Sequence, residues 1–80
     1  MGEITHFFSK IRVVVIKMTS GQIEVGNRIH IKGKSSDFIQ TIKSLQIESV
    51  DVNAVSKGQL AGLKVDRRAK EGDKVYRLYK

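Results

Sequence analysis

Phe38 to Val50 reads FIQTIKSLQIESV, and the fold turns on this stretch because it satisfies two periodicities at once. Phe38, Ile42 and Leu45 stand at helical spacing behind a cap at Ser36 or Asp37, whereas the β-branches of Ile39, Thr41, Ile42, Ile47 and Val50 favour a strand. Apolar spacing alone leans to a helix. A strand accommodates the same positions if a bulge near Lys43 or Ser44 shifts the register, since one extra residue changes which side chains face the core. The surrounding segments decide for the strand.

Upstream, Ile4 to Phe8 and Ile11 to Met18 are dense in β-branched and aromatic residues, with a short connection at Ser9-Lys10. In the second run Ile11, Val13 and Val15 fall on one face and Val14, Ile16 and Met18 on the other, so both faces are expected to be at least partly covered. Thr19-Ser20-Gly21 marks a turn, Gln22 to Val25 a short extended piece, and Gly26-Asn27 a second turn with positive φ. Arg28 to Lys32 then alternates cleanly, with Ile29 and Ile31 pointing inward and Arg28, His30 and Lys32 outward.

Downstream, Ser56-Lys57-Gly58 leads into LAGLKV, where Ala61, Leu63 and Val65 alternate with Leu60, Gly62 and Lys64. Glu71-Gly72-Asp73 turns the chain into a last strand, Lys74 to Tyr79. The sequence has no proline, no repeat and no low-complexity linker. Residues 1–80 therefore read as a single all-β domain: a closed or nearly closed antiparallel β-barrel of about six or seven strands, since closure removes exposed sheet edges.

Eighty residues allow one small core, burying about 60 to 65% of the surface that the unfolded chain exposes. Cysteine is absent, which excludes disulfides, thiolate metal sites and cysteine nucleophiles. The longest apolar run is Val13 to Ile16, far short of the roughly 20 residues that a membrane helix needs, and MGEITHFF lacks the pattern of a signal peptide. A cytoplasmic protein with no membrane partner is the expectation. Fifteen Lys and Arg against eight Asp and Glu give a formal charge of +7, which favours polyanionic partners such as RNA.

The pieces RVVVIKM, SGQIEVGNRIHIKG, SLQIES, KGQLAGLKV and EGDKVYR resemble, in order and spacing, the second domain of elongation factor Tu and related translational GTPases. THFF at Thr5 to Phe8, GNRIHIKG at Gly26 to Gly33 and SLQI at Ser44 to Ile47 are also similar in style to the barrel at the C-terminus of collagenase-like peptidases. Both resemblances imply the translation-factor type of β-barrel. The first implies contact with transfer or ribosomal RNA; the second implies an accessory protein-interaction domain. The positions aligned with the aminoacyl-end pocket of elongation factor Tu fall at Gln46 and Lys64, where that family carries an acidic and an apolar residue, so the resemblance does not extend to that ligand.

Little in the chain points to catalysis. Gly33-Lys34-Ser35 lacks the earlier glycine and the strand-to-helix context of a phosphate loop, so no nucleotide is expected. His6 and His30 are the only histidines, no metal or other cofactor is implied, and Ser35, Ser36 and Asp37 beside His30 resemble no strained nucleophile turn. Asp66 and Asp73 read as partners of Arg67, Arg68 or Lys74. The chain is expected to be a non-catalytic monomer.

The candidates for nucleic-acid contact are two basic groups. Arg28, His30, Lys32 and Lys34 form one, on a strand face and the following loop; Lys64, Arg67, Arg68 and Lys70 form the other, where KVDRRAKEG joins two strands. An outward stripe of charge is also how an edge strand avoids aggregation. Phe7, Phe8 and Phe38 read as core, and Tyr76 and Tyr79 as candidate stacking platforms. RNA binding predicts that the two groups converge on one face; protein docking predicts an exposed apolar patch involving Leu78 and Tyr79.

Overall fold

The computed structural model describes residues 2–34 and 36–78, and every regular element in them is a strand. The segments GEITHFF and VVVIKM form β1 (Gly2–Phe8) and β2 (Val13–Met18); Ile4, Val14, Ile16 and Met18 point into the core from them. After β3 (Gln22–Glu24), the Gly26-Asn27 turn forms as expected: Gly26 has φ 98° and the Asn27 side chain accepts a hydrogen bond from the Glu24 N–H at 2.8 Å. β4 (Arg28–Lys32) buries Ile29 and Ile31 and turns Arg28, His30 and Lys32 outward.

The ambiguous stretch is extended, but it is not one strand with a bulge. It makes β5 (Asp37–Thr41) and β6 (Leu45–Ile47), separated by a break at 42–44. Ile42 is the cause. Its side chain is buried, its N–H donates to the Asn27 carbonyl at 2.8 Å, and its own carbonyl accepts from the Gly26 N–H at 2.9 Å. The chain is thereby pinned beside the Gly26 turn, and it leaves one side of the sheet for the other.

β7 (Val50–Val52), β8 (Ala54–Ser56), β9 (Leu60–Lys64) and β10 (Lys74–Leu78) complete the described structure. An eight-stranded antiparallel sheet runs β5-β4-β10-β1-β2-β9-β6-β7 and curls into a half-barrel, while β3 and β8 pair as a small second sheet. The all-β class expected from the sequence is the one found. The strands number ten among the described residues rather than six or seven, because short three-residue strands such as β7 and β8 carry too little apolar pattern to be recognised.

One side chain ties the two sides of the curl together. Gln40, buried at the β5 edge, donates from Nε2 to the Lys64 carbonyl at 3.0 Å and accepts the Asp66 N–H at Oε1 at 2.9 Å. A primary amide is suited to this because it offers a donor and an acceptor side by side, as a peptide group does. Of the three phenylalanines, Phe38 is buried and Phe7 packs against the core, but Phe8 is exposed and is not a core residue. No helix of the described residues is long and apolar enough to cross a membrane.

Candidate functional site

The outer face of β5, β4 and β10 displays its side chains in continuous cross-strand rows. Backbone register aligns Lys74, Lys32 and Asp37 in one cross-strand row, Tyr76, His30 and Ile39 in the next, and Leu78, Arg28 and Thr41 in the third. Side chains directly opposite one another on antiparallel strands lie about 5 Å apart, so these rows are contact surfaces. Tyr76, Ile39 and Leu78 are 45%, 49% and 37% exposed. An apolar band with a basic rim results.

His30 sits in the middle of this band, and its Nε2 lies 2.5 Å from Oδ1 of Asp37. That hydrogen bond, assisted by the charges of His30 and Lys32, holds the Asp37 carboxyl below the ordinary carboxylate range. Because the folded-state pKa is depressed, the contribution of the pair is present above the ordinary value of 3.8 and is lost as pH falls through the lowered folded value. Following the Asp37 carboxyl carbon by NMR is expected to show titration below that value in the parent chain. In His30→Ala it returns toward the ordinary range; in Lys32→Gln, which removes only the weaker influence, it moves less.

A second feature lies at the end of this face. Lys32, Gly33, Lys34, Lys70, Glu71, Gly72, Asp73 and Lys74 line an open depression of about 450 Å³ between the β4–β5 connection and the turn that enters β10. Asp73 organises it. Rather than pairing on the surface with Arg67, Arg68 or Lys74, Asp73 is only 5% exposed, and its Oδ2 accepts the Lys70 N–H at 2.9 Å. Gly33 lies against the same carboxylate so closely that a Cβ there would fall 1.8 Å from Oδ1. Asp66 likewise departs from expectation, standing 3.6 Å from Lys43.

The sequence-predicted cations are only partly gathered. Lys32, Lys34 and Lys70 meet at the depression, Arg28 and His30 continue along the outer face of β4, and Lys64, Arg67 and Arg68 do not line the depression. Tyr76 is exposed beside His30, and Tyr79 lies outside the described residues. Sequence reasoning missed Ile39, Gly33, Asp73 and Lys74. Only Ile39 left a signal, as the outward member of an alternating run once that run is read as strand.

A third surface is a groove of about 440 Å³ lined by residues that include Val15, Gln46, Glu48, Leu60 and Gly62. Among the described residues no group of three or more His, Asp or Glu could hold a metal ion.

No family model matches the chain. It is 33% identical over 79 residues to an uncharacterized protease of Methanocaldococcus jannaschii, covering 98% of this chain and 19% of that protein. It is 28% identical over 81 aligned positions to a collagenase of Porphyromonas gingivalis, covering all of this chain and 22% of the collagenase. The chain thus spans about a fifth of the length of the curated relatives it matches.

In fold it superposes on the crystal structure of the C-terminal domain of a Geobacillus thermoleovorans protein described as a U32 peptidase. The TM-score is 0.90 at 15% identity, over 98% of this chain and 90% of that one. Of the two resemblances drawn from the sequence, the one to peptidases is the one these comparisons support. In sequence the chain is similar to about a fifth of an uncharacterized protease and of a collagenase, and in fold to the C-terminal domain of a U32 peptidase.

Proposed function

We propose that the chain is a non-catalytic accessory module of the collagenase-like protease kind, working by docking through the outer face of β5, β4 and β10. The observation that carries this reading is the whole-length similarity to only a fifth of the relatives. A barrel of this kind has the other four-fifths of such a protein as its natural partner. The apolar band of Tyr76, Ile39 and Leu78 has the composition of an interface centre, and Arg28, Lys32 and Lys74 that of a polar rim.

Contact with structured RNA or a ribosome is a second reading, favoured by one observation: Lys32, Lys34 and Lys70 gather around one depression.

The docking reading is tested with the Methanocaldococcus jannaschii relative from which the matching fifth has been removed. The relative's own matching segment, added separately, serves as the control that the remainder is folded. The chain is expected to bind that remainder, and Tyr76→Ala to weaken binding by about 10-fold or more, as truncation of a buried aromatic anchor does. Failure to bind a remainder that does bind its own segment contradicts the reading.

A further inference from the structure

Two like charges stand directly opposite each other on neighbouring strands: Lys74 of β10 faces Lys32 of β4 in register, on the same outer face. Such a pairing is unfavourable by itself, and the acidic neighbours that flank it in the row, Glu3 opposite Lys74 and Asp37 opposite Lys32, offset part of that cost. Lys34 and Lys70, from the two adjoining loops, complete a ring of four lysines around the depression. The carboxylates nearby do not neutralise this ring fully. Glu71 and Asp73 also line the depression, but Glu71 pairs with His6 at 3.2 Å and Asp73 accepts the Lys70 N–H; Glu3 lies 3.5 Å from Lys74, and Asp37, opposite Lys32, is bound to His30. Among the described residues neither Lys34 nor Lys70 has a carboxylate within ion-pair distance.

The ring is held by buried structure. Gly33 packs on the Asp73 carboxylate, and Asp73 binds the backbone of Lys70, so the loop carrying Lys34 and the loop carrying Lys70 are fixed against each other. Asp73 is 5% exposed, and the latch therefore does not depend on solvent-facing contacts.

From this geometry we propose that the depression is an oligophosphate site, binding successive phosphate groups of a chain polyanion through Lys32, Lys34, Lys70 and Lys74. Lysine suits this task as a compact charge with three rotatable donors. The depression is open, so it accepts a chain passing across it. Tyr76, two residues along β10 from Lys74 and therefore about 7 Å away, lies where a base attached to that chain could stack. The proposal deepens the RNA reading of the same depression; it shares Lys32, Lys74 and Tyr76 with the docking face but does not require docking.

The test is an amide-shift titration of the full chain with sodium tripolyphosphate and, separately, with a short oligouridylate, at about 50 and about 200 mM salt. Both probes are expected to shift Lys32 to Lys34 and Lys70 to Lys74. Oligonucleotide affinity is expected to fall by about 20-fold across that salt range if three phosphates are neutralised on a single strand. Lys34→Glu and Lys70→Glu should each weaken binding at least about 10-fold without moving the thermal midpoint; Lys57→Glu, outside the depression, should have little effect. Additional shifts at Tyr76 with the oligonucleotide alone identify a nucleic-acid backbone as the source, whereas equal affinity and no Tyr76 shift identify free oligophosphate. Absence of shifts with either probe at low salt, or equal weakening by Lys57→Glu, overturns the proposal.

Discussion

Gly33→Ala is expected to be among the most damaging single substitutions available outside the apolar core. The residue is not in the left-handed region, so backbone strain is not the reason. The added Cβ would fall 1.8 Å from Oδ1 and 2.4 Å from the carboxyl carbon of Asp73. Either Gly33 moves, taking the β4–β5 connection with it, or Asp73 is expelled from its buried position and the Lys70 N–H loses its acceptor. Overpacking combined with a lost buried hydrogen bond costs about 2 to 4 kcal/mol. In a domain of this size that lowers the thermal midpoint by roughly 10 to 25 °C.

A double variant separates this mechanism from general intolerance of the turn. On an Asp73→Ala background the extra cost of Gly33→Ala should shrink by about 1 kcal/mol or more, since the clashing atoms are gone. Gly58→Ala provides the contrast: a Cβ there meets nothing within 4 Å, but φ is +87°, so its cost of about 1 to 2 kcal/mol is conformational, and Asp73→Ala does not relieve it.

Gln40→Leu should match Gly33→Ala in effect for a different reason. The leucine fills similar volume, but it leaves the Lys64 carbonyl and the Asp66 N–H without the partners that Gln40 supplies. Leaving partly buried backbone groups unpaired costs about 1 to 3 kcal/mol each. Denaturation is expected to show a loss of about 2 to 4 kcal/mol. Hydrogen exchange at the Asp66 amide should accelerate well beyond what the global loss explains, because the tie between β5 and the end of β9 has been cut. An unchanged Asp66 amide in a destabilised Gln40→Leu chain would mean that the side chain matters through packing alone.

These two positions also show what the sequence discloses and what it conceals. The alternation in Arg28 to Lys32 and in Leu60 to Val65 reports a strand with one buried face, and the structure places both as read. Gly21, Gly26, Gly58 and Gly72 report left-handed turns, a conformation in which glycine relieves a steric penalty. The Glu48-Ser49 turn went unread because both residues adopt positive φ, 52° and 65°, without glycine or asparagine to mark it. β7, beyond that turn, is three residues long and carries too little apolar pattern to show.

Ile42 explains the remaining misreading. Its apolar side chain fits a helix, a bulged strand or a break equally well, and the choice is made by its hydrogen bonds to Gly26 and Asn27, some 15 residues away in sequence. The candidate surface was legible in parts. Outward placement of Arg28, His30 and Lys32 follows from period-two alternation. The convergence of Lys34 with Lys70 does not, because it depends on Gly33 and Asp73 meeting across the end of the barrel. A buried aspartate is unusual enough that sequence reasoning places it on the surface by default.

Docking through the β5–β4–β10 face sets that face apart from the rest of the surface. The measurement that tests it is backbone amide mapping of the isotope-labelled chain on addition of the Methanocaldococcus jannaschii relative lacking its matching fifth. Shifts or broadening are expected at Ile39, His30, Tyr76 and Leu78, with the Gly62 groove on β9 unaffected. Binding that perturbs the Gly62 groove and leaves those four residues unchanged would contradict docking through this face.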